Sequence, residues 1–169
     1  LNATGHSEVP VDAETARTVP DMSYPISPMA GGGEVFGVFE GRSPAQGIAR
    51  ELKIPIHHAA TKAKWRVTLY QDSATGTPTT YKIEGTLFRP AARHGKWAIA
   101  QGGANGDLKS VVYELAASDD KPGLKLLKGD ENVLFFLNQN RELMVGHCEF
   151  SYTLNRRTTP PAISQLAPK

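Results

Sequence analysis

Cysteine is nearly missing from this chain of 169 residues. Cys148 is the single one, so no intramolecular disulfide can form and a four-thiolate zinc or iron–sulfur centre is excluded. Cysteine usage therefore leaves the compartment open. Long hydrophobic runs are missing too: the longest clear one is Val133-Leu134-Phe135-Phe136-Leu137, far short of the roughly 20 apolar residues of a membrane-spanning helix. An excess of one charge is also lacking. The 19 Lys and Arg stand against 17 Asp and Glu, a formal net charge of +2, without the clustering that neutralising a row of phosphates requires. Nucleic acid is not expected as a partner.

Catalytic signatures are absent as well. No G-x-S-x-G, H-E-x-x-H, G-x-x-x-x-G-K-[ST] or G-x-G-x-x-G pattern occurs, and Gly102-Gly103-Ala104-Asn105-Gly106 reads as a hairpin loop, not the start of a helix. Neither enzymatic activity nor a cofactor is expected. The sequence opens on Leu1 and not on Met, which leaves room for a cleaved leader upstream.

What is present is a pattern of alternation. A chain of this length suits one domain that buries about 70% of its unfolded surface. Residues 1–33 carry Pro10, Pro20, Pro25 and Pro28 and then Gly31-Gly32-Gly33, with few large apolar groups, and are expected to form a flexible arm or tether. Residues 156–169, with Pro160, Pro161 and Pro168, read as a flexible tail. Between them, residues 34–155 alternate apolar and polar positions, as in Trp65-Val67-Leu69, Tyr81-Ile83, Trp97-Ile99, Val111-Tyr113-Leu115 and Phe150-Tyr152-Leu154, the period of strands with one buried face.

Turn clusters separate these segments, among them Asp72 to Pro78, Pro90 to Gly95, Ser118 to Gly123 and Gly129 to Asn132. Such short links pair neighbours antiparallel. The expectation is an all-β, lipocalin-like antiparallel meander barrel of about nine strands, within a range of about eight to ten, closed to protect its edges. The last two are placed at Arg141–Val145 and Cys148–Leu154. One short helix is expected within Pro44 to Ile56, where Ile48 and Leu52 fall at helical spacing after a proline, capping one end of the barrel.

Few residues invite chemistry. Of the five histidines only His57 and His58 are neighbours, and adjacent strand residues point to opposite faces, so the pair converges on a metal only in a loop. With no Asp, Glu or Cys close behind, it reads as a solvated loop. In His147-Cys148-Glu149 a regular strand sets Cys148 on the apolar face with Phe150 and Tyr152, where a lone cysteine is a small buried hydrophobe. Glu84, Glu114 and Glu149 alternate out of phase with large apolar neighbours and are expected to face water.

The aromatic set, with Phe39 and Phe136 among it, supplies a barrel interior. Trp65, Val67, Tyr81, Ile83, Trp97, Tyr113, Phe135, Phe150 and Tyr152 are the candidate residues for lining a small apolar ligand there. Whether side chains fill that interior or leave room turns on a few side-chain volumes, and both alternatives stay open.

Gly37-Val38-Phe39-Glu40-Gly41-Arg42-Ser43-Pro44, followed by Gly47-Ile48, resembles the opening of the NlpE N-terminal domain family. These are bacterial envelope lipoproteins associated with copper tolerance and surface sensing, and their domains begin with G-x-[YF]-x-G-x-x-P. Similar features follow in order: Trp65 to Leu69, Glu84-Gly85-Thr86 before Gly95 to Ile99, Tyr113-Glu114-Leu115, and Leu126 to Leu134 leading into Leu137 to Leu143. The resemblance covers Phe36 to Leu154.

It implies a lipocalin-like barrel in the bacterial envelope, periplasmic or anchored to the outer membrane by a lipid ahead of the arm, with an envelope protein partner. The role implied is stress sensing or small-ligand binding; the alternative is a carrier holding an apolar molecule inside the barrel. One departure matters. The family's C-x-x-C after the proline is replaced by Ala45-Gln46-Gly47, so its metal or redox use does not carry over, and Met144 with Cys148 is the nearest sulfur pair in the core.

Overall fold

The computed structural model describes residues 33–117 and 120–157. The expected arm, apart from Gly33, and the expected tail beyond Arg157 lie outside the described residues. Among the described residues eight strands follow in chain order: β1 (Glu34–Pro44), β2 (Lys62–Gln71), β3 (Pro78–Gly85), β4 (Arg93–Gln101), β5 (Val111–Leu115), β6 (Leu124–Lys128), β7 (Val133–Leu137) and β8 (Thr153–Arg156). Each pairs antiparallel with the next, and β1 also pairs with β8, which closes the barrel. The all-β meander barrel with one short helix is therefore the fold, and closure leaves no edge strand to attract another chain.

The helix, α1 (Ala45–Glu51), follows Pro44 directly. Proline sets a backbone angle suited to a helix start and loses only an N–H that has no intrahelical partner there. Ile48 and the following Leu52 are fully buried in the core, so α1 plugs the end of the barrel where β1 finishes. Gly47 is required by this packing: a Cβ on it would lie 2.2 Å from the Tyr152 hydroxyl. The opposite end, where β1 begins and antiparallel β8 finishes, has no such plug among the described residues.

Two expectations about the last strands are corrected. Arg141–Val145 and Cys148–Leu154 are not two strands but parts of a single line beside β7. The Met144 N–H donates to the Phe136 carbonyl (3.1 Å) and the Phe136 N–H donates to the Tyr152 carbonyl (3.0 Å), so residues 145–151 are looped out from between them. The His147 N–H closes the loop on the Phe150 carbonyl at 3.0 Å. Alternation alone does not register such an excursion, because the apolar beat resumes at Tyr152 and Leu154 once the chain returns.

Register decides the faces. Leu126 opposes Phe136 and Lys128 opposes Leu134, while Leu127 opposes Phe135, which in turn opposes Thr153. Directly paired residues share a face, so fully buried Leu126, Leu134 and Phe136 point inward and Phe135 points out. Strand β3 stops at Gly85 and not at Phe88, and at Gly85 the backbone takes φ +149 and passes so close to Lys64 that a Cβ would lie 1.9 Å from its carbonyl oxygen.

Candidate functional site

The inward faces meet in one cluster that holds Trp65, Val67, Tyr81, Ile83, Trp97, Tyr113 and Tyr152. In its plugged half the Trp65 ring lies 4.9 Å from Phe136 and 5.5 Å from Phe88, and Phe136 lies 6.1 Å from Tyr152. Rings at such distances are in direct contact, so nothing inserts between them. The polar tips are satisfied inside: Trp65 Nε1–H donates to Ser43 Oγ at 2.9 Å, Trp97 Nε1–H to the Tyr70 carbonyl at 2.7 Å, and Tyr81 Oη–H to the Ala116 carbonyl at 2.8 Å.

Two candidate interior residues stand elsewhere. Phe135 is on the outer wall beside Leu127, because the run Val133–Leu137 is apolar at every position and its phase is set only by pairing with β6. Phe150 lies in the looped-out segment and borders a groove of about 550 Å³ with Trp65, Arg42, Lys64 and Glu149. The same excursion carries Cys148 off the sheet into solvent, so the buried reading of this cysteine is also corrected. His147 stacks edge-on against Phe150 at 5.6 Å.

The unplugged end is built differently. Phe36, Trp97 and Tyr113 form a triangle with ring centroids 5.2, 5.8 and 5.3 Å apart. Ile99 pairs with inward-facing Tyr113, yet 47% of it remains exposed, which identifies this as the mouth. Two cations also face inward here. Lys128 continues the inward series Leu124-Leu126, and Arg156 continues Tyr152-Leu154 and opposes inward Phe39.

Arg156 is held firmly. Its Nε–H donates to the Glu131 carbonyl at 2.7 Å, Nη1–H donates to the Phe36 carbonyl at 3.0 Å, and Cζ lies 4.6 Å from the Phe39 centroid and 5.4 Å from that of Phe36. Lys128 Nζ pairs with Glu131 Oε1, and this hydrogen bond holds the ammonium pKa above its usual value.

Tyr113 differs from Tyr81. It is 3% exposed, but its hydroxyl makes no hydrogen bond among the described residues. Burial pushes its phenol above the ordinary tyrosine value, and the charges acting on it are Lys128, which lowers it, Glu131, which raises it, and Arg156, which lowers it. A groove of about 430 Å³ borders this end, lined by Val111 and Lys128 of the mouth together with Leu127, Lys109 and Ser110.

Sequence reasoning missed Phe36, Lys128 and Arg156. A signal existed for the two cations: the inward beat Leu124-Leu126 and Tyr152-Leu154 runs on by one step into a basic residue, and a strand whose alternation ends on a cation carries that cation to the rim of its buried face.

The remaining candidates occupy the outside. His57 and His58 lie in an exposed loop with ring centroids 4.3 Å apart, and the Gln46 carboxamide donates to the carbonyls of His57, His58 and Ala60 at 3.0, 3.1 and 3.0 Å. Among the described residues, no three His, Cys, Asp or Glu side chains come together. Glu84 pairs with Lys82 at 2.9 Å and Glu114 pairs with Arg141. No helix among the described residues is long and apolar enough to cross a membrane.

No protein-family model, no curated protein and no solved structure matches this chain. The likeness to the NlpE N-terminal domain thus rests on the quoted residues alone.

Proposed function

We propose that this chain is a non-enzymatic binding barrel of the bacterial cell envelope that takes a small ligand at its unplugged end, in a stress-sensing or ligand-binding role. One contrast carries the ligand-binding reading. Ile48 of α1 and the following Leu52 are fully buried and plug one end, whereas at the other end inward Ile99 is left 47% exposed beside Tyr113, whose hydroxyl has no partner among the described residues. Apolar surface turned inward but left open, next to a few convergent polar groups, is the make-up of a ligand site. The envelope location, the lipid anchor ahead of the arm and a protein partner are supported by the resemblance to the NlpE family.

The alternative, a carrier with an apolar molecule deep inside the barrel, is less well supported, because Trp65, Phe88, Phe136 and Tyr152 occupy the plugged half by direct ring contact. Tryptophan fluorescence separates the two. Trp97 stands at the mouth and Trp65 in the plugged half, so titration with small amphiphiles should alter the emission of wild type and of Trp65→Phe, and leave that of Trp97→Phe nearly unchanged. A response that survives only through Trp65 would favour the carrier. No response to amphiphiles of any charge would end the ligand-binding reading.

A further inference from the structure

We infer that the mouth is a site for a singly charged anionic amphiphile, a carboxylate with a short apolar body, whose head is held by Tyr113, Lys128 and Arg156. This rests on the ligand-binding reading and names its ligand class.

Lys128 and Arg156 stand at the rim of the closed barrel, where the Lys128 ammonium pairs with Glu131 and remains within reach of water. The charged groups that act on Tyr113 are the Glu131 carboxylate, the Lys128 ammonium and the Arg156 guanidinium, so these three side chains together carry one net positive charge. The neighbouring groove does not offset it, since Asp107 and Lys109 both line that groove and cancel.

Hydrogen bonding points the same way. Arg156 uses Nε and Nη1 on backbone carbonyls, which leaves Nη2 as a donor, because the guanidinium fork carries five N–H groups. The Tyr113 hydroxyl is a second donor without an acceptor among the described residues, on a side chain otherwise buried to 3% exposure. Both donors remain open at the mouth, and an acceptor bearing negative charge engages them with charge-assisted bonds.

The surroundings set the rest of the ligand. Beside this head site lie Phe36, Ile99 and Val111, partly exposed and apolar, which give an alkyl or aromatic body a surface to cover. One net positive charge and an apolar rim fit a monocarboxylate better than a phosphate dianion, which would bring a second negative charge without a counter-charge.

The test uses the full chain with octanoate, octanol and octylammonium, which share one apolar body and differ in the head, titrated by calorimetry at neutral pH. Octanoate is expected to bind at least about ten-fold more tightly than octanol, with octylammonium weakest. Tyr113→Phe and Lys128→Gln should each weaken octanoate several-fold and leave octanol unchanged. Tyr113→Phe should also keep the wild-type thermal midpoint, because the hydroxyl has no protein partner to lose. It therefore serves as the decisive variant if Lys128→Gln folds poorly.

Octanol binding as tightly as octanoate, or octanoate binding indifferent to both substitutions, overturns the anion site and leaves the ligand-binding reading standing. Failure of all three compounds to bind overturns both.

Discussion

Arg156 and Phe39 face each other across the seam where the last strand meets the first, with the guanidinium carbon 4.6 Å from the ring centroid. The pair does two jobs with one geometry. It helps close the barrel, since the Arg156 N–H bonds the Asn132 carbonyl at 2.7 Å and the following Arg157 N–H bonds the Val38 carbonyl at 2.8 Å. It also fixes a cation inside the mouth, because stacking over an aromatic face and two carbonyl bonds offset part of the hydration the guanidinium gives up.

The faces of β7 should appear in stability. Phe136→Ala removes a fully buried ring that touches Trp65 and Tyr152, and a loss of about 3–5 kcal/mol is expected from such a truncation. Phe135→Ala, on the half-buried outer wall, should cost about 1 kcal/mol. Urea unfolding of the two variants measures the difference, and equal losses would contradict the register.

Ser43→Ala should destabilise the barrel by about 1–3 kcal/mol, although it deletes a single oxygen. Ser43 is fully buried and its Oγ accepts the Trp65 indole N–H at 2.9 Å, so alanine leaves that donor dry and unpaired. In the Trp65→Phe background the same change should cost much less, and the double-mutant cycle reads the coupling.

Alkaline pH should unfold the protein cooperatively. Burial raises the pKa of Tyr70, Tyr113 and Tyr152 above the ordinary value of 10.0. A folded-state pKa above the unfolded one means that the folded chain holds the proton longer. The associated stability is complete below about pH 10 and is lost as pH rises through the folded values. Denaturant midpoints measured from neutral pH upward should hold steady and then fall. The fall should be shallower in Tyr113→Phe.

Cys148 should react with a thiol reagent in the native protein about as fast as in denaturant, because the looped-out segment sets it in solvent. Cys148→Ser should shift stability by less than about 0.5 kcal/mol. Protection of the thiol in the native state would place the loop back against the sheet.

The architecture was legible in the amino-acid order because its signals are local. Alternation in Trp65-Val67-Leu69 or Val111-Tyr113-Leu115 marks a strand wherever that strand ends up, short polar turns make neighbours antiparallel, and Pro44 ahead of Ile48 and Leu52 marks the plugging helix. The phase of β7, the excursion that frees Cys148 and the make-up of the mouth were decided only in three dimensions. Val133–Leu137 is apolar throughout, so nothing local distinguishes Phe135 from Phe136, and pairing with β6 and β8 makes the choice. Phe36, Tyr113, Lys128 and Arg156 come from four strands spread along the chain, and they converge because β1 pairs with both β2 and β8. Ring closure is a property of all eight strands together, and no window of sequence contains it.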